Sequence, residues 1–278
     1  MKIIIRWIER RFRRWDRRLT LSKRQQFVIA TGFLTAGLIL TQVVAADYRY
    51  PMVAGLSVIT YILCAFVLRE ELRGIEWFTL LILPTLFTGA TSLFYFLLPA
   101  RWLTRLPIAL LYGVGIYALI LTENIYNVAA NRTIGLLRAA HSVGFLLTLA
   151  TYFLLVQTIL AFRFIVFVNI ALIALVSFPL IIQTLWAMEL EERASRRVLQ
   201  LSGALTFVLV QIAWIFSLWP VKTTLQALFL TTVFYSIVGM AQHYIAEKLY
   251  KKTVMEFFIV TVLVFGITMI ATTWRGFY

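Results

Sequence analysis

Glu123, Asn127 and Asn131 are spaced four residues apart, so a helix running through them sets a carboxyl and two amides on one face. Asn124, Arg132, Arg138, His141 and Ser142 lie within the same short stretch, and His243 with Glu247, again four apart, forms a second polar group. A His/Glu pair can act as a general base, and Arg with Asn can hold a phosphate. The plainer reading makes all of them residues at helix ends, with the cations reaching out to lipid headgroups. Two histidines and one cysteine, Cys64, are too few for an ordinary zinc or thiolate centre. The sequence contains no zinc-protease helix motif, nucleotide-binding glycine loop or acidic metal-binding pair, so no metal or other cofactor is expected.

These side chains belong to a chain of 278 residues that is 62% apolar and 14% charged. Soluble domains hold about 45–50% apolar and about 25% charged residues, so this composition excludes a soluble globular protein. It equally excludes disorder, which needs low hydrophobicity and high charge. What remains is an all-α polytopic membrane protein.

Crossing the hydrocarbon as a helix takes about 20 apolar residues. Nine such runs are present: Phe27 to Ala46, Met52 to Leu68, Trp77 to Leu98, Ile108 to Tyr126, Ala140 to Phe162, Phe164 to Met188, Val198 to Trp219, Thr223 to Tyr244 and Val254 to Trp274. An N-terminus on the cytoplasmic side puts 20 Lys/Arg inside and six outside, and the last run then ends outside. The run after the basic arm is too long for the apolar region of a cleaved signal peptide, so it is read as the first membrane helix.

Residues 1–26 carry ten Lys/Arg against Glu9 and Asp16. As a helix, this arm sets Ile4, Ile8, Phe12, Trp15 and Leu19 on one face and Arg6, Arg10, Arg13 and Arg17 opposite. The arginines are the expected contacts to anionic lipid headgroups, whether the arm recognises lipid or only fixes orientation. Nucleic acid is not an expected partner, because the apolar face would have nowhere to hide.

The punctuation of the first four runs recurs in the next four. Gly32-Phe33-Leu34 answers Gly144-Phe145-Leu146, Pro99 answers Pro220, and Tyr117, Asn124 and Tyr126 answer Tyr235, Gln242 and Tyr244. The domain reading is therefore a basic arm (1–26), a first repeat of helices 1 to 4 (27–126), a cytoplasmic linker (127–139), a second repeat of helices 5 to 8 (140–247), and a ninth helix with an outside C-terminus (248–278). Apolar helices share a small alphabet, so chance recurrence is the competing explanation.

No ionisable residue falls in the middle of a run, which argues against a proton-driven or sodium-driven carrier. Gln42, Gln157, Asn169, Gln183 and Gln211 read as helix-to-helix hydrogen-bond formers. Three functions follow: a non-enzymatic carrier or lipid-handling protein without midplane ion coupling, a membrane scaffold for assembly, or a membrane-interface enzyme built on the Glu/His/Asn/Arg cluster. The first is preferred because of the repeats.

The stretch from Thr122 to Phe145, TENIYNVAANRTIGLLRAAHSVGF, resembles the central segment of uncharacterised multi-helix membrane proteins of candidate-phylum bacteria. The resemblance implies a bacterial cytoplasmic membrane. It carries no activity.

Overall fold

The computed structural model describes residues 22–42, 48–69, 72, 74–98, 102–130, 135–191 and 193–272. The expected lipid contacts Arg6, Arg10, Arg13 and Arg17 lie outside these residues, as do Asn131 and Arg132.

Among the described residues the chain is all helix, in nine segments: α1 (Lys23–Thr41), α2 (Arg49–Leu68), α3 (Glu76–Phe96), α4 (Trp102–Ala129), α5 (Leu137–Ala161), α6 (Val166–Glu189), α7 (Arg196–Ser217), α8 (Thr223–Ile245) and α9 (Lys251–Ile270). Eight of them, α2 to α9, are long and apolar enough to cross a membrane. Helices close their own backbone hydrogen bonds, which is what lipid demands of any spanning segment. Eight of the nine expected runs thus have a helix long and apolar enough to cross. α1 falls short because it begins four residues before the apolar run, on Lys23-Arg24-Gln25-Gln26.

A capping box sets that start. Ser22 Oγ accepts from the Gln25 amide at 3.4 Å, and Gln25 Oε1 accepts from the Ser22 amide at 2.9 Å.

Contacts between helix ends sort the segments into an up-and-down bundle. At one end Lys23 donates to the Val67 carbonyl, Asn127 to Leu68, and Arg197 to Tyr244, which joins the starts of α1 and α7 to the finishes of α2, α4 and α8. At the other end the Tyr95 hydroxyl donates to the Arg105 carbonyl, the Arg49 guanidinium lies over the Phe96 ring, and Tyr50 meets Phe162. Arg49 is thus held by an aromatic face.

Within the first four helices, α1 packs on α2 and α4, α3 packs on α2 and α4, and α2 touches α4. Within the next four, α5 packs on α6 and α8, α7 packs on α6 and α8, and α6 touches α8. The two sets meet where α3 lies against α5 and α6, and α4 against α5. α9 packs along α8.

Rings fill the middle. Tyr152 stacks on Phe234 with centroids 4.3 Å apart, tying α5 to α8, and Phe87 stacks on Tyr112 at 5.6 Å, tying α3 to α4. Hydroxyls inside the bundle mostly donate back to their own helix one turn earlier, as Thr60, Thr88, Thr148 and Ser177 do. Among the described residues four glycines, Gly37, Gly115, Gly144 and Gly239, permit close approach. A Cβ at Gly144 would lie 2.6 Å from the Tyr126 hydroxyl, and one at Gly239 would lie 2.7 Å from the Phe257 ring.

Candidate functional site

The last turns of α4 turn their polar face inward. Thr122, Glu123, Tyr126 and Asn127 are all buried, Glu123 completely so at 0% exposure. Their spacing of three and four residues puts them on one stripe, and that stripe meets the ends of α2, α5 and α6.

Two members of the stripe and its surroundings have a structural task. The last carbonyls of a helix have no partner within it. Asn127 Nδ2 donates to the carbonyl of Leu68, the last residue of α2, at 2.9 Å. His141 Nε2 lies 2.8 Å from the Ala187 carbonyl in the last turn of α6. A carbonyl only accepts, so Nε2 carries the proton here. Tyr126 donates to Ala140 at 2.9 Å and lies 5.5 Å, ring to ring, from His141. These groups satisfy helix ends where water is scarce.

Glu123 has no such task. Its Oε1 accepts from Gln183 Nε2 of α6 at 3.2 Å, and its Oε2 has no hydrogen-bond partner among the described residues. The Thr184 hydroxyl donates to the Leu180 carbonyl at 2.7 Å and lies 3.4 Å from Gln183 Oε1. Gln183 appeared in the sequence as one helix-bridging amide among several. What could not be read there is that its partner is a carboxyl.

The remaining expected residues lie elsewhere. Asn124 is half-buried beside the stripe and Arg138 is exposed. His243 is exposed, with its ring 6.0 Å from Phe257 of α9. Glu247 is exposed and has φ 56° beyond the end of α8 at Ile245, so it shares no helical face with His243. The structure therefore brings Glu123, Asn127 and His141 to one junction and leaves His243 and Glu247 on the α8/α9 corner.

That corner borders a groove the sequence did not reveal. Between α7, α8 and α9 runs an apolar cleft of about 400 Å³ lined by Ile212, Phe216, Val233, Ile237, Met240 and Phe257, among others. Ser236 and Thr261, the two hydroxyls in its wall, lie 2.7 Å apart and satisfy each other. Its rim residues Ile215 and Phe258 are about 60% exposed, so the cleft opens on the outside of the bundle. From Phe229 to Met240 it follows α8 for about 16 Å at 1.5 Å per residue. At its Met240/Val254 end stand the exposed Lys248, Lys251 and Lys252.

Fold and site together define an all-helical, multi-pass membrane protein with a closed polar junction and an open apolar groove. Residues 52–271 match a protein family of unknown function, DUF5656, and the chain belongs to that family. No curated protein and no solved structure matches the chain. The match agrees with the absence of an assigned activity that the central segment implied, and it adds nothing on bacterial source.

Proposed function

We propose that this protein is a non-enzymatic lipid-handling protein that binds an anionic phospholipid along the α7/α8/α9 groove. The observation that carries the reading is the groove itself: an open apolar cleft about half as long as the ~30 Å hydrocarbon core, ending beside three lysines. A cleft of that length suits one acyl chain. With its hydroxyls already paired, its wall offers no anchor to a polar solute, and the lysines supply attraction to an acidic headgroup of about 1 kcal/mol each near the surface. Arg6, Arg10, Arg13 and Arg17 would add a second anionic-lipid contact at the N-terminal arm.

The helix pairings favour a duplicated unit, because each pairing among α1 to α4 recurs among α5 to α8. The relation between the copies is an open step and not a closed two-fold. A two-fold would repeat the α3/α5 and α4/α5 contacts as α7/α1 and α8/α1, whereas α1 packs on α2 and α4. α9 then lies on α8 as α5 lies on α4, like the first helix of a third unit. α3 and α5 pack together, while α7 and α9 are splayed by the groove.

Lys23, Arg69, Arg138, Arg197 and Lys248 fall at the same bundle end, which favours that end as the cytoplasmic one in a bacterial inner membrane. The enzyme reading loses ground with His243 and Glu247 set apart from Glu123 and His141. A scaffold gains support only from the dense packing around α3 to α6.

The test is native mass spectrometry of the full chain released from mild detergent. Wild type is expected to retain an acidic phospholipid. Val233→Trp, which fills the groove, should remove one bound lipid, and Lys251→Ala with Lys252→Ala should lose the preference for acidic over zwitterionic headgroups. Unchanged retention in all variants would sink the reading.

A further inference from the structure

We propose that Glu123 is a proton-binding site inside the membrane bundle, taking up and releasing a proton at Oε2 while Oε1 stays on the Gln183 amide. This does not rest on the groove. A carboxyl buried at membrane depth is costly and is kept where it is used. The other polar groups at this junction have structural partners: Asn127 closes α2, His141 closes α6, and Tyr126 joins α4 to α5. Glu123 closes no helix end, and one of its oxygens, fully buried, has no hydrogen-bond partner among the described residues.

Depth fits this role. Glu123 lies six residues before the end of α4, Gln183 six before the end of α6, and Cys64 four before the end of α2. At 1.5 Å per residue, all three sit roughly 6–9 Å inside the helix ends, within reach of a short opening from that side. The charged groups and buried titratable groups at this end of the packed helices are Cys64 from α2 and Arg69 just past it, Tyr126 from α4 itself, His141 and Arg138 from α5, Glu76 from the start of α3, Lys23 and Arg24 from the start of α1, and Glu189 at the end of α6. Lys23 donates to Val67, His141 donates to Ala187 and Arg69 lies over the Phe66 ring, while Arg24 and Arg138 are exposed. The proton adds to one carboxylate oxygen and leaves from it, and no other bond changes.

An unpartnered oxygen is tolerated better on a neutral acid than on a carboxylate, for which burial requires a donor or a paired charge. The packed junction therefore matches the protonated acid. Release of the proton must bring in a donor, and the nearest way is for water to enter between the ends of α2, α4 and α6. The charge state of Glu123 thereby sets how tightly that end of the bundle is closed.

The experiment uses the full chain in vesicles of phosphatidylethanolamine and phosphatidylglycerol. Infrared difference spectra are recorded between about pH 4 and about pH 9, a range that covers ordinary and strongly perturbed carboxyls. A protonated-carboxyl C=O band that rises and falls reversibly, is lost in Glu123→Gln, and shifts in frequency in Gln183→Leu is the expected result. Wild-type protein needs no variant for the second arm: dicyclohexylcarbodiimide, which reacts with buried acids, should label Glu123 and do so less as pH rises. A Glu123 that neither titrates nor labels across that range overturns the proposal. So does a band that moves with added sodium at fixed pH, which would make the site a cation site.

Discussion

Truncating Trp186 to alanine is expected to lower stability by about 3–5 kcal/mol, the usual cost of deleting a large buried ring. Trp186 has 0% exposure, and its indole Nε1 donates to the Glu191 carbonyl at 2.8 Å just past the end of α6. It belongs to an unbroken buried stretch from Leu180 to Ala187, where α6 meets α3, α5 and α8. In lipid the ring gains nothing from leaving water, so its contribution is packing, lost outright when a void opens beside it. Trp214 is the control. It is 43% exposed and touches Phe167 edge-on, so Trp214→Ala should cost under about 1 kcal/mol. Unfolding of both variants in the same micelles decides the point, and equal losses would contradict a core placed around α6.

The second large effect is expected at Gln183. Replacing it with leucine deletes the one hydrogen bond that the Glu123 carboxyl makes among the described residues, where its other oxygen has none. Removing one partner so that a buried polar group is left unsatisfied costs roughly 1–3 kcal/mol, whereas removing both is close to neutral. Gln183→Leu alone should therefore destabilise the bundle, and Glu123→Leu with Gln183→Leu should recover most of the loss. The coupling energy separates two accounts. Ordinary hydrogen bonds between membrane helices average about 0.6 kcal/mol in such cycles. A value clearly above that is expected here, because the carboxyl has no second partner to fall back on. A coupling at or below the average would make Glu123 and Gln183 a routine helix contact.

Much of this architecture is legible from apolar run length. The runs from Met52 onward each correspond to a helix of spanning length, because a chain in lipid has few other ways to satisfy its backbone. The boundaries shift where polar residues continue a helix, as at Lys23 to Gln26, which only the Ser22/Gln25 cap explains, and at Trp102 to Pro107, where α4 begins six residues ahead of its apolar run. Spacing alone placed Glu123 and Asn127 on one face, and that stands. It could not say whether the face looked to headgroups or into the bundle, since the period of a helix fixes relative direction only. His243 and Glu247 looked equivalent by the same spacing, but α8 ends at Ile245 and Glu247 takes a left-handed backbone, so the pair dissolves. The partnership of Glu123 with Gln183 spans 60 residues, and the groove depends on how far α9 stands from α7, both long-range facts that no local pattern carries.

Lipid handling at the groove is tested most directly by site mapping with a phospholipid bearing a diazirine on its acyl chain. The full chain is reconstituted with the probe, irradiated and digested, and the adducts are located by mass spectrometry. Adducts concentrated on Ile212, Val233, Ile237 and Phe257, and reduced by competing phosphatidylglycerol, are the predicted result. Adducts spread evenly over exposed side chains such as Leu111, Leu175 and Ile270, with no excess in the groove, would contradict it.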